Sequence, residues 1–195
     1  MRHYRGGLTD SERWDGFAFR PDDVVISTPS KCGTTWLQMI CALLILQRTE
    51  LPAPLTELSP WLDMRLRPVE EVRRRLDAQR HRRFIKTHTP LDGLPSAPGV
   101  TFLVCGRDPR DVAISMDHHR ENLDGRTINR LLPASDGSPK QPDAAPKRDH
   151  RGRVMHWIEA DDPPESNLSS LRGTVWHLAG AWARRHDPEV ILVHY

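Results

Sequence analysis

Residues 24–39, Val-Val-Ile-Ser-Thr-Pro-Ser-Lys-Cys-Gly-Thr-Thr-Trp-Leu-Gln-Met, limit what this chain can fold into more than any other stretch. A β-branched run (Val24, Val25, Ile26) breaks at Pro29, passes through Gly33 and restarts as an apolar helical pattern at Thr35. That pattern predicts a strand, a tight loop and a helix N-terminus. Such a junction aims backbone N–H groups and the positive end of a helix dipole, equivalent to roughly half a charge, at whatever sits in the loop. Lys31 adds a full positive charge and the hydroxyls of Thr34 and Thr35 add donors, so a phosphate or sulfate group is the expected occupant.

An ordinary strand-to-helix turn with Lys31 in solvent is the plainer reading of the segment. Two familiar phosphate loops fail on spacing. A Walker A loop carries its lysine directly after the second glycine, whereas Lys31 precedes Gly33 by two positions. A phosphatase-type loop built on Cys32 would need an arginine at position 38, which is Gln38. The string Ser30-Lys31-Cys32-Gly33-Thr34-Thr35-Trp36 instead resembles the loop with which sulfotransferases hold the 5′-phosphosulfate of PAPS, usually written Pro-Lys-Ser-Gly-Thr-Thr-Trp. Ser30 and Cys32 depart from that pattern, and the Lys, the Gly and the Thr pair are kept. The resemblance implies that Lys31, Cys32, Gly33, Thr34 and Thr35 cradle the donor and that Trp36 stacks near its adenine.

Two further segments bear on this. In Phe84-Ile85-Lys86-Thr87-His88-Thr89-Pro90, a short strand ending at the proline puts Lys86 and His88 on one side and Ile85 on the other. A lysine and a histidine pointing together suit a site where a hydroxyl is deprotonated and an anion held, because the unperturbed pKa of histidine lies closest to neutrality. The string is similar to the sulfotransferase segment that carries the catalytic base, which implies that role for His88. The apolar run 101–105 reads as a buried parallel strand. It leads into Gly106-Arg107-Asp108-Pro109-Arg110-Asp111, with Asp108 suited to an N-cap and Pro109 to the first helical position. On its own, Arg107 paired to Asp108 or Asp111 explains that segment. Arginine also suits bidentate phosphate contacts, and the string resembles the family's 3′-phosphate segment, with Arg107 and Ser115 in its Arg and Ser positions.

Composition excludes several classes. A chain of 195 residues makes one domain, able to bury roughly 70% of the surface its unfolded form exposes. A formal charge of +2 gives no argument for nucleic acid or an anionic membrane. Three cysteines, Cys32, Cys41 and Cys105, form no Cys-x-x-Cys pair, so the expectation is no disulfide framework or zinc site and a reducing cytoplasm. The longest apolar run, residues 39–46, is far short of the roughly 20 that span a bilayer.

Residues 1–22 are expected to form an arm that packs on the domain. The helix after the loop is apolar on nearly every side and expected to be buried. Val69, Val72 and Leu76 mark an amphipathic helix whose Arg73-Arg74-Arg75 run is a solvated face. Adjacent His118 and His119 face different directions and make a poor metal pair; they are expected at the surface or in the acceptor pocket. Residues 133–170, rich in Pro, Asp, Ser and Gly, form a long irregular insertion with a short helix at 154–158; a lid facing the acceptor and plain disorder stay open. Val175, Leu178, Ala179 and Trp182 define an amphipathic helix, and residues 190–195 a further buried strand. A similar strand in the family ends in a Tyr that helps hold the nucleotide, which would be Tyr195.

The expected fold is therefore α/β: a P-loop-like three-layer arrangement with a parallel sheet flanked by helices. It is expected to be incomplete at the C-terminus, because the family's Arg-Lys-Gly-x-x-Gly segment does not occur. The expected function is in-line transfer of a sulfuryl group from PAPS to an alcohol, phenol or amine, with no metal. His88 would be the base, Lys31 would sit at the leaving oxygen and Lys86 would steady the sulfuryl oxygens or the 5′-phosphate. Two other classes remain at this stage: an impaired remnant that only binds nucleotide or a partner, and a nucleotide-dependent kinase. The acceptor and the oligomeric state are not written in the sequence; the acceptor pocket is expected from residues 50–68 and 133–170.

Overall fold

The computed structural model describes residues 1–121 and 148–195. Its centre is a four-stranded, all-parallel sheet in the order β2-β1-β3-β4: β1 is Val24–Ser27, β2 Phe84–Thr87, β3 Thr101–Gly106 and β4 Val190–His194. Val24 sits between Phe84 of β2 and Thr101 of β3, and Phe102 faces Val190 of β4. Parallel neighbours need crossovers, which here carry helices α1 (Thr34–Leu46), α2 (Leu55–Leu58), α3 (Val69–Ala78), α4 (Pro109–Glu121), α5 (His150–Glu159) and α6 (Leu171–Ala183).

Alternation along β1 divides the core. Val24 and Ile26 pack with Leu37, Cys41 and Ala42 of α1 and with Leu58 of α2. Val25 faces the opposite layer, with Val72 and Leu76 of α3, Ala181 of α6 and the arm aromatics Trp14 and Phe17. Each such buried aliphatic side chain contributes about 1.5–3 kcal/mol. Helices on both faces make the expected three-layer α/β fold. The arm at residues 1–22 packs on the domain as expected: Trp14 is fully buried, edge-on to Phe17 at 5.4 Å and stacked on Phe19 at 6.0 Å.

Several expectations need correction. The helix α1 is buried on one side only; Leu44 is 66% exposed, and Met39 and Leu43 are exposed beside it. The sheet covers one face of the helix, and no described residue covers the other. The strand β4 is the sheet edge, with Val190 buried and Ile191 exposed. In α6 the buried positions are Gly173, Thr174, His177 and Ala181, and Val175 and Trp182 point outward. Arg73 is not solvated like its neighbours: its Nη2 donates to the Arg13 and Asp15 carbonyls at 3.0 and 2.8 Å and ties the arm to α3. Within 133–170, residues 133–147 lie outside the described part. The short helix expected at 154–158 is the longer α5, capped by Asp149 and docked on α4 through Arg153 and His150 to Asp117. Among the described residues no helix is long and apolar enough to cross a membrane.

Candidate active site

A cleft of about 720 Å³ opens over the C-terminal ends of the strands, where open parallel sheets bind ligands and within the usual range for small-molecule pockets. It is lined by Lys31, Gly33, Thr34, Thr35 and Trp36 from the β1–α1 junction, Lys86 and His88 from the end of β2, Arg107 and Ser115 from the β3–α4 junction, and Tyr195 after β4. These are the expected site residues, save one. Cys32 has its side chain fully buried among Val112, Ala113, Met116 and Trp157. It does not line the cleft, and burial pushes its thiol up to about 12.

Local backbone shapes the loop. Lys31 at φ 66° and Gly33 at φ 82° both lie in the left-handed region, which costs a non-glycine residue of order 1–3 kcal/mol. At Gly33 glycine is required on a second count: a Cβ there would stand 2.8 Å from the Tyr195 ring. No side chain caps α1, so the amides of its first turn remain for a ligand in the loop. The Thr34 hydroxyl lies against that of Thr28, while Thr35 is exposed at the rim. Arg107 donates from Nη1 to the Lys31 carbonyl at 3.2 Å, which fixes the loop to the β3–α4 junction, and stacks its guanidinium on Tyr195 at 4.9 Å. Trp36 meets Tyr195 edge-on at 5.5 Å.

Across the cleft, Lys86 lies over the Trp61 indole, its Nζ 4.1 Å from the ring centroid. The His88 ring stands edge-on to Trp61 at 4.8 Å. His88 Nδ1 is 2.7 Å from the Thr28 carbonyl. A carbonyl only accepts, so Nδ1 carries the proton and Nε2 keeps its lone pair. Burial, followed by the Lys86 charge, pulls His88 down to about 3. The imidazole is thus neutral near pH 7, with the tautomer a base requires. Lys86 is itself lowered by burial; the Asp63 charge opposes that shift and Lys31 adds to it.

Ser30, Met116 and His119 also line the cleft, and the rest of the wall comes from residues the motifs did not indicate: 4–9 of the arm, Trp61, Met64 and Leu66, and 165–169. The last two groups fall within the stretches expected to shape an acceptor pocket. Arg65, buried, donates to the Gly6 and Gly7 carbonyls and presses the arm against the cleft. Tyr4 anchors the arm from below, donating to Asp92 at 2.7 Å and accepting from the Trp176 indole at 2.8 Å.

The donor set fits a sulfated or phosphorylated nucleotide. Two lysines and an arginine supply cations, a glycine at positive φ leaves room for close backbone approach, and two aromatic rings flank the loop.

Residues 21–195 match the family described as Sulfotransferase domain. The chain is 40% identical over 205 residues to a glycolipid sulfotransferase of Mycobacterium tuberculosis, an alignment that takes in 98% of this chain and 63% of that protein. It therefore spans under two thirds of that relative's length. A solved structure of retinol dehydratase with retinol and PAP superposes with a TM-score of 0.61 at 21% identity, over 93% of this chain and 56% of the other. A mouse sulfotransferase complexed with PAP superposes with a TM-score of 0.59 at 19% identity, over 93% and 54%. At those identities the structural likeness speaks for the fold, while the family match rests on sequence across nearly the whole chain: this protein belongs to the sulfotransferase domain family.

Proposed function

We propose that the protein transfers a sulfuryl group from PAPS to a hydroxyl or amine by in-line displacement. The observation that carries this reading is the pairing of the Lys31 loop with the His88 imidazole across one cleft. PAPS, when bound, supplies the sulfuryl group and departs as 3′-phosphoadenosine 5′-phosphate. Lys31 and the first-turn amides of α1 stabilise the charge that gathers on the leaving oxygen. His88 Nε2 takes the acceptor's proton while Nδ1 stays on the Thr28 carbonyl, which then also orients the imidazolium. Lys86 steadies the sulfuryl oxygens. Arg107 and Ser115 hold the 3′-phosphate, and Trp36 and Tyr195 pack against the base. The name of the mycobacterial relative makes a glycolipid hydroxyl the first acceptor to try, with the wall of residues 4–9, 61–66 and 165–169 receiving it. The three free, buried cysteines support a reducing compartment such as the cytoplasm.

Calorimetric titration with 3′-phosphoadenosine 5′-phosphate and, separately, with ATP tests the donor. The expected result is a preference of about tenfold or more, near 1.4 kcal/mol, that disappears in Arg107→Ala. Equal or tighter ATP binding would overturn the assignment in favour of a kinase-like site. Incubation with PAPS and a panel of glycolipids, phenols, alcohols and amines, read by mass spectrometry, then separates an enzyme from a protein that only binds the nucleotide.

A further inference from the structure

The cleft floor is carried by three consecutive residues, Thr87, His88 and Thr89, and groups beneath the floor hold this segment from two sides. On one side is Asp63, fully buried. Its Oδ2 accepts hydrogen bonds from Thr87 Oγ1 and Thr89 Oγ1, both at 2.6 Å. The Thr87 hydroxyl in turn accepts from the Thr89 N–H at 2.9 Å, so a closed ring of hydrogen bonds spans His88. On the other side, Ser27 Oγ donates to the Thr89 carbonyl at 2.7 Å and lies 3.0 Å from His177 Nε2. Ser27 has one proton and gives it to the carbonyl, so His177 is the donor to Ser27.

A carboxylate is an expensive choice for fastening two threonines. Burying the charge costs several kcal/mol unless it is paired and hydrogen-bonded. Here the second oxygen, Oδ1, makes no well-formed hydrogen bond; the nearby donor is the Trp14 indole N–H, which also lacks one. Burial raises the Asp63 carboxyl, and Lys86 of β2 feels its charge, with Lys31 acting in the opposite sense. A neutral amide or a water would satisfy the hydroxyls without that charge.

We propose that Asp63 is a positioning residue for the transfer reaction. By bridging Thr87 and Thr89 it fixes the backbone on both sides of His88, which keeps Nδ1 on the Thr28 carbonyl and Nε2 free for the cleft. The proposal rests on the reading of His88 as the base.

Three variants test it. Asp63→Ala removes latch and charge, Asp63→Asn keeps an acceptor oxygen without the charge, and Thr89→Val removes one hydroxyl while keeping the shape. Nitrogen-15 NMR of the His88 ring reports its tautomer whether or not the protein turns over. The parent is expected as the Nδ1–H form, and Asp63→Ala and Thr89→Val as mixtures with the Nε2–H form. Asp63→Ala is expected to lower kcat by about 10–100-fold, the range for residues that orient a catalytic group through a hydrogen bond, with KM for the acceptor within about twofold. Asp63→Asn, which keeps an acceptor oxygen for the two hydroxyls, should restore the parental tautomer and most of kcat. A parental tautomer in both Asp63→Ala and Thr89→Val overturns the proposal; if Asp63→Ala does not fold, Thr89→Val decides alone. Parental turnover in His88→Ala alongside a shifted tautomer in Asp63→Ala overturns the base assignment and leaves the hydrogen-bonded latch standing.

Discussion

His88 is neutral near pH 7 because burial and the neighbouring Lys86 both oppose its protonation, and it is correctly tautomerised because the Thr28 carbonyl claims the proton on Nδ1. An imidazole lowered to about 3 is a weak proton acceptor in the ground state, yet it is unprotonated over the whole physiological range. Two outcomes follow for an active form of the protein. His88→Ala should lower kcat by about 10²–10⁴-fold, the usual effect of losing a general base. The kcat/KM profile should stay level from neutral pH to well below 6.5, since protonation of the free imidazole is displaced downward. A profile that falls with a midpoint near 6.5 would mean that His88 is not enclosed as its packing implies, while a level profile in His88→Ala with parental turnover would sink the assignment of the base. Residues of this kind were readable in the sequence because each stands at a local signal: Lys31 and Gly33 between a β-branched run and a helix start, His88 two positions after Lys86 on a strand, and Arg107 before an Asp-Pro cap. Trp61 and Asp63 carry no such signal. They reach the site through a tertiary pairing, the bridge of Trp61 with Lys86 and the hydrogen bonds of Asp63 to Thr87 and Thr89, and nothing in residues 55–68 alternates or repeats to announce it.

At the level of elements, β1 and β2 begin side by side on a buried ion pair. Arg83, just before β2, donates from Nε to Asp23 Oδ1 at 2.8 Å and from Nη2 to Oδ2, and both side chains are about 1% exposed. A further donation to the Ala18 carbonyl at 3.0 Å and the Phe17 ring 5.2 Å from the guanidinium extend the anchor to the arm. Removing one member of such a pair leaves the other charge buried and unpaired. Arg83→Met is therefore expected to destabilise the fold by about 3–5 kcal/mol in urea unfolding, and Arg83→Met with Asp23→Leu to recover much of that loss. A single variant within about 0.5 kcal/mol of the parent would show the pair to be dispensable. The sequence revealed where elements lie better than which side of each is covered. An apolar run such as residues 190–193 has the same composition at a sheet edge as at its centre, so β4 read as buried. The apolar surround of α1 likewise gives no sign of which face the sheet takes. For α3 the spacing of Val69, Val72 and Leu76 did identify the packed face, because every other position but Ala78 is charged.

Protonation couples these elements across the whole molecule. Burial lowers His177, on α6, to about 4 and, with Lys86, lowers His88 to about 3, against about 6.5 in an unfolded chain. Between those values the unfolded chain binds protons that the fold refuses. The stability tied to the two imidazoles is thus complete above about pH 6.5 and lost as the pH falls toward 4 and 3, each contributing at most about 1.4 kcal/mol per pH unit. Asp63 acts in the opposite sense: burial raises its carboxyl, so its ionisation favours the unfolded chain and part of the loss is offset as the pH drops. Asp117, held at about 2 chiefly by Arg153, adds a separate loss that begins only below about 4, the unfolded value. Urea unfolding free energies should therefore decline from about pH 6.5 downward and decline again below about 4. His177→Gln keeps a donor for Ser27 but takes up no proton in the unfolded chain, so its curve should be flatter by up to about 1.4 kcal/mol per pH unit between roughly 6.5 and 4. An unchanged slope in that variant would mean that His177 titrates alike folded and unfolded, and that α6 does not enclose it as tightly as its packing against Ser27 implies.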